Sequence, residues 1–200
     1  MSNKLNPTSK RIITSWFERA QIPVKEPKYD YFDRFITLWI SFNCYFVSGL
    51  HDKACNRISI QNKNETIKCK RFEPSEADYL KVLIDTPKYK CIYLNLIENS
   101  DDFVNKLELF KEFIQRNDYK GMVADLRSER RKKSHAKKFS NINNFKQFIF
   151  VTYQIRCNLF HGNKSPFIGR DTELVKLIFD PFNEFLTEIY KEERYLSNYI

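Results

Sequence analysis

The chain has 200 residues, enough for one ordinary domain that buries roughly two-thirds of its unfolded surface and folds without disulfides or metal. A hydrophobic share of 42% with 16% aromatic excludes a disordered or low-complexity chain, and 4 Gly with 7 Pro argue against a turn-rich all-β fold. Lys and Arg number 34 against 25 Asp and Glu, and the net charge of +9 favours a polyanionic partner.

In chain order the punctuation marks helices. Ser9 is placed to cap a short helix with apolar face Ile12, Ile13, Trp16, Phe17 and Ala20, ended before Pro23, so residues 1–27 read as a helical extension. Asp30 is the expected cap of a longer helix. Its stripe Phe32, Phe35, Ile36, Trp39, Asn43, Phe46 steps by three and four, and Gly49 follows as a stop. Asn43 is unusual on an apolar stripe, and its side chain is expected to bond a neighbouring backbone group.

Residues 51–73 change character. Ile58-Ser-Ile60 and Ile67-Lys-Cys69-Lys-Arg-Phe72 alternate apolar and polar around a polar loop, which predicts a small β-hairpin over 57–72. After Pro74, Ser75 caps a helix through Leu83. A turn at Asp85-Thr-Pro87 follows, and residues 91–97 read as a strand or a buried helical turn. Asp101 opens a helix carrying Phe103, Leu107, Phe110 and Ile114. Asn143 or Asn144 starts a helix that reaches His161, with Gly162 as its stop. Asp171 is the expected cap of the last helix, whose stripe is Leu174, Ile178, Phe182, Phe185 and Ile189, with Pro181 predicting a kink near Leu177. The expectation is an all-α helical bundle in a single domain over 1–200, with residues 143–191 supplying its last two helices.

No signal-peptide pattern follows Met1, and the most apolar stretch, residues 35–47, is interrupted by Thr37, Ser41, Asn43 and Cys44 and is shorter than the ~18 residues a membrane span requires. The five cysteines contain no CxxC pair, which argues against a disulfide framework or zinc ribbon. His51, Cys55 and Cys69 lack a fourth ligand, so no metal and no cofactor is assigned. A cytoplasmic chain that does not enter a membrane is expected.

The basic surplus is concentrated. Residues 125–138 carry Arg127, Arg130, Arg131, Lys132, Lys133, Lys137 and Lys138 against only Asp125 and Glu129, whereas residues 165–200 are net acidic. Such a cluster is either a solvated helix face or mobile loop, or a surface that contacts phosphates. On the second reading these residues, with Lys164, hold RNA.

The segment Tyr153-Gln-Ile-Arg156-Cys-Asn158-Leu-Phe-His161-Gly162 carries the chemistry. At about 100° per residue from Arg156, the residues Phe145, Phe148, Thr152, Ile155 and Leu159 form a core stripe centred at about 300°. His161 falls at about 140° and Asn158 at about 200°, nearly opposite that stripe. Phe150 and Val151 share their sector with Gln147 and Gln154, which predicts that a second surface covers it. An Arg, an amide and a His at a covered helix end suit a phosphodiester. The guanidinium stabilises charge on phosphorus, the imidazole moves a proton, and the amide orients one or the other.

Arg156 and His161 with four residues between them, and Asn158 inside the motif, resemble the Rx4-6H signature of the HEPN superfamily. The run IRCNLFHGNKSP with the following helix is similar to the end of that domain, and residues 35–43 resemble its first core helix. The resemblance implies metal-independent cleavage of single-stranded or looped RNA by 2′-hydroxyl attack, with Arg156, Asn158 and His161 as the catalytic set. It also implies a homodimer and a setting as a toxin or anti-phage effector, with an antitoxin or defence-system protein as partner. The tyrosine that follows the His in toxins silenced by nucleotidyltransferase antitoxins is absent, since Gly162-Asn163-Lys164 stands there. The rival readings are an inactive HEPN-like module that binds RNA or protein, and a basic helical DNA-binding regulator.

Overall fold

Asn6 accepts the Thr8 N–H at 3.0 Å and Pro7 takes the first helical position, which together start α1 (Pro7–Ala20). Asn6 rather than Ser9 is therefore the cap. The structure is a computed structural model that describes residues 6–63, 73–116, 139–160, 165–193 and 195. Helices α2 (Pro27–Lys63), α3 (Glu76–Asp85), α4 (Pro87–Asn99), α5 (Asp101–Gln115), α6 (Phe145–Phe160) and α7 (Gly169–Glu192) follow. The fold is all-α, and no strand occurs among the described residues.

The main departure from expectation is the length of α2. Its 37 residues run through Gly49 without a break, and Leu50 and Ala54 beyond it are buried. Apolar contacts on that side outweigh the roughly 1 kcal/mol that one interior glycine costs a helix. Residues 58–63 form its last turns, so the first strand and part of the loop of the expected hairpin are helical. Three alternating residues are too short a signal to override a helix already propagating. The remainder of that hairpin lies outside the described residues. Residues 91–97 likewise belong to a helix, α4, with Tyr93 fully buried.

Two expected caps play other roles. Asp30 sits in the first turn of α2, where its Oδ1 accepts the Val24 N–H at 2.7 Å and fixes the α1–α2 loop. Asp171 is buried in the first turn of α7, and its Oδ2 accepts the Ser165 N–H at 3.1 Å. Ser75 is a cap as expected, in a reciprocal capping box with Asp78.

One hydrophobic core joins the seven helices of the described residues. Helix α2 packs against α1, α3 and α7, while α7 also packs against α4, α5 and α6. The stripe Leu174, Ile178, Phe182, Phe185 and Ile189 is fully buried, and α7 continues through Pro181. Each such side chain contributes about 1.5–3 kcal/mol by leaving water. Ser41 interrupts the apolar face of α2 without cost to hydrogen bonding. Its hydroxyl donates to the Ile13 carbonyl at 2.8 Å and accepts from the Tyr190 hydroxyl at 3.0 Å, tying α1, α2 and α7 together. No helix among the described residues is long and apolar enough to cross a membrane.

Candidate functional site

Helix α6 starts where Asn144 Oδ1 accepts the Gln147 N–H at 3.1 Å. It is enclosed over more of its circumference than a surface helix with one apolar stripe, and its open side carries Lys146, Phe150, Tyr153, Arg156 and Phe160. Phe148, Ile149, Val151, Thr152, Gln154, Ile155, Cys157 and Asn158 are all buried within a single chain. This corrects the expectation of an α6 face left for a second copy to cover. Val151 is 0% exposed and Gln154 2%, and Gln147 accepts the Ser140 N–H at 2.9 Å instead of facing a partner. Phe150 is half-buried.

Asn158 is also on the inside. Its Oδ1 accepts from Gln154 Nε2 at 3.1 Å, one turn back on the same helix. Two amides at i and i+4 thereby satisfy part of each other's demand in a region closed to water. A helical wheel assigns such residues to solvent because it counts polarity; their mutual bond is what lets them face inward.

Arg156 alone of the predicted trio reaches an open surface among the described residues. Its Nη1 lies 2.9 Å from Glu76 Oε2, and the other Glu76 oxygen accepts from Trp39 Nε1 at 2.9 Å. The guanidinium rests over the Phe160 ring at 4.3 Å and the Trp39 ring at 5.9 Å. Trp39 in turn stacks on Phe182 at 5.6 Å, so the core holds the arginine in place through one indole. Arg156 Nε is buried with no acceptor among the described residues.

The arginine opens onto a cleft of about 450 Å³ bounded by Asn43, Val47, His51, Glu73, Pro74, Glu76, Tyr79 and Arg156. Three helices and the segment leading into α3 build it. Asn43, Val47 and His51 are spaced by four along α2 and form one wall. The amide of Asn43, expected to bond the backbone, lines the cleft instead. Opposite, the capping box fixes the first turn of α3, which carries Glu76 and Tyr79. His51 Nδ1 lies 2.8 Å from the Tyr79 hydroxyl, and its Nε2 lies 3.6 Å from Cys55 Sγ. Burial pushes the Tyr79 phenol up, and Cys55 and Glu73 add to the effect. Burial likewise raises the Tyr153 phenol, with Cys157 contributing. His51 and Cys55 have no third partner that would complete a metal set among the described residues.

His161, Lys164 and the basic residues Arg127, Arg130, Arg131, Lys132, Lys133, Lys137 and Lys138 lie outside the described residues, as does Cys69. His161 follows directly on Phe160, the last residue of α6, which is 50% exposed. Glu76 and Tyr79 are not singled out by the sequence, and His51 is weighed there only as a metal ligand. For His51 a signal existed in its four-step spacing from Asn43, but taking Gly49 as a stop severed the row. Comparison with family models, curated proteins and solved structures finds no match to this chain.

Proposed function

We propose that the protein is a metal-independent endoribonuclease. Arg156 stabilises the charge that builds on phosphorus, and His161 acts as general base on the ribose 2′-hydroxyl or as acid toward the leaving 5′-oxygen. Asn158, buried against Gln154, acts by positioning the last turn of α6 and does not touch RNA. The observation that supports this reading most is the placement of Arg156. Its guanidinium is held against two aromatic rings at an open cleft, on the turn just before His161. The products are a 2′,3′-cyclic phosphate and a 5′-hydroxyl. A toxin or anti-phage role, with a restraining partner protein, follows from the resemblance alone.

The pairing expected across α6 has lost its first argument, since that helix face is covered within one chain. The apolar surface available to a second copy lies near the motif instead, where Phe160, Phe167 and Ile168 are exposed.

A second reading draws on the Arg156–Glu76 ion pair, which partly neutralises the guanidinium and suits a module that binds RNA without cutting it. Incubation with RNA in EDTA separates the two. Cleavage that persists in chelator supports the ribonuclease, and RNA that is bound but intact supports the binding module. Loss of cleavage in EDTA with recovery in magnesium contradicts the metal-free mechanism.

A further inference from the structure

We infer that the cleft between α2, α3 and α6 is a subsite for a backbone phosphate of single-stranded RNA, gripped by Arg156 and His51, with Glu76 as the internal anion that the phosphate displaces. The identity of the nucleic acid rests on the ribonuclease reading, whereas the anion site rests on the geometry of the cleft.

A guanidinium offers five N–H donors in a planar fork, and Glu76 engages this one through Nη1. Arg156 Nε has no acceptor among the described residues, so the fork is only partly used by its internal partner. Phosphate oxygens match such a fork in two-point geometry. Glu76 also has a second anchor in Trp39 Nε1, which keeps its carboxylate bonded when the arginine turns to a ligand.

His51 faces the same space from α2. Its bond to the Tyr79 hydroxyl fixes the ring and constrains its protons. When Tyr79 donates to Nδ1, the neutral imidazole carries its hydrogen on Nε2. When the ring is charged, Nδ1–H donates to the phenol oxygen and Nε2–H remains. In these two states Nε2 carries a hydrogen, and donating it to an anion replaces the 3.6 Å contact with Cys55 Sγ. Beside it, Asn43 presents an amide and Val47 an apolar surface, which suit the edge and face of a base attached to that phosphate. A volume of about 450 Å³ has room for one nucleotide. Glu73, at the same cleft, opposes the anion and sets the cleft's resting charge together with Glu76.

The test uses the full chain and a short 2′-O-methyl oligouridine, which lacks the hydroxyl needed for cleavage, with binding read by fluorescence anisotropy at fixed salt. H51Q should weaken binding about tenfold, the scale of one hydrogen bond to a charged group. E76Q should tighten it about fivefold by removing a competing charge while preserving an acceptor for Trp39. R156Q alone leaves Glu76 without its cationic partner, so the arginine is tested in R156Q/E76Q, which should bind more weakly than E76Q. Inorganic phosphate should compete with the oligonucleotide on the wild type and much less on H51Q. Thermal melts confirm that each variant is folded. Unchanged affinity in both H51Q and E76Q, or no binding of the oligonucleotide to the wild type, overturns the subsite. If the variants behave as expected but natural RNA stays intact, the ribonuclease reading fails and the subsite stands. If RNA is cut while binding ignores both substitutions, the reverse holds.

Discussion

Replacing Gly49 by Ala tests whether α2 is one helix, on which the geometry of the cleft depends. Gly49 lies inside the 37-residue helix with its φ outside the left-handed region, and a Cβ built on it meets nothing within 4 Å. The substitution therefore adds no clash and requires no backbone change. An interior glycine costs a helix about 0.5–1 kcal/mol relative to alanine, chiefly through unfolded-state entropy. A domain of this size shifts by about 2–4 °C per kcal/mol, so G49A should raise the melting temperature by about 1–4 °C. Differential scanning calorimetry on the two proteins reads this directly. A melting temperature lowered by several degrees would mean that α2 breaks at Gly49, because alanine is penalised only where the chain needs a left-handed glycine to end the helix. Such a break would also detach His51 from the row that carries Asn43 and Val47, and the cleft with it.

Three further outcomes follow from particular contacts. Although burial raises it, the Asp78 carboxyl is held below its usual range by Ser75 and Lys81. The capping box therefore adds stability above the ordinary carboxylate range of about pH 4 and loses it as pH falls through the lower folded value. An NMR titration should place Asp78 below about 3.9, and a value at or above that contradicts the box. N158A leaves Gln154 Nε2 buried without this partner, which should cost about 1–3 kcal/mol in thermal or urea unfolding. A loss under about 0.5 kcal/mol would mean that this face of α6 is wet. Changing Arg130, Arg131, Lys132 and Lys133 together to Gln should weaken RNA binding across all sequences and flatten the salt slope by about 0.7 for each phosphate no longer neutralised. An unchanged slope removes that segment from the RNA surface.

The helices with a single apolar stripe were legible in the sequence. In α5 and α7, the stripes Phe103, Leu107, Phe110, Ile114 and Leu174, Ile178, Phe182, Phe185, Ile189 are buried as their spacing requires. Helix α6 was legible in its start and in the stripe Phe145, Phe148, Thr152 and Ile155, all of it buried, but its opposite face was not, because buried Gln154 and Asn158 look like solvent-facing residues until their mutual bond is known. The end of α2 was misread for a local reason. Gly49 and the alternating residues 58–60 are strand and stop signals only if no packing continues past them, and Leu50 and Ala54 supply that packing. At the site, Arg156 was found from its spacing to His161. Its partners Glu76 and Trp39 come from other helices, and which helices meet is set by tertiary packing that no local pattern records.

The proposal that Arg156 and His161 perform metal-independent RNA cleavage is tested by RNA cleavage with wild type, H161A and the R156Q/E76Q variant in EDTA, with end-group analysis of the products. Wild type should yield fragments that end in 2′,3′-cyclic phosphate and 5′-hydroxyl. H161A should lose about 10²–10⁴-fold in rate with the fold intact, and the arginine variant should lose most of its activity. Wild-type protein that leaves RNA whole, or an H161A protein that retains a tenth or more of the activity, would contradict the proposal.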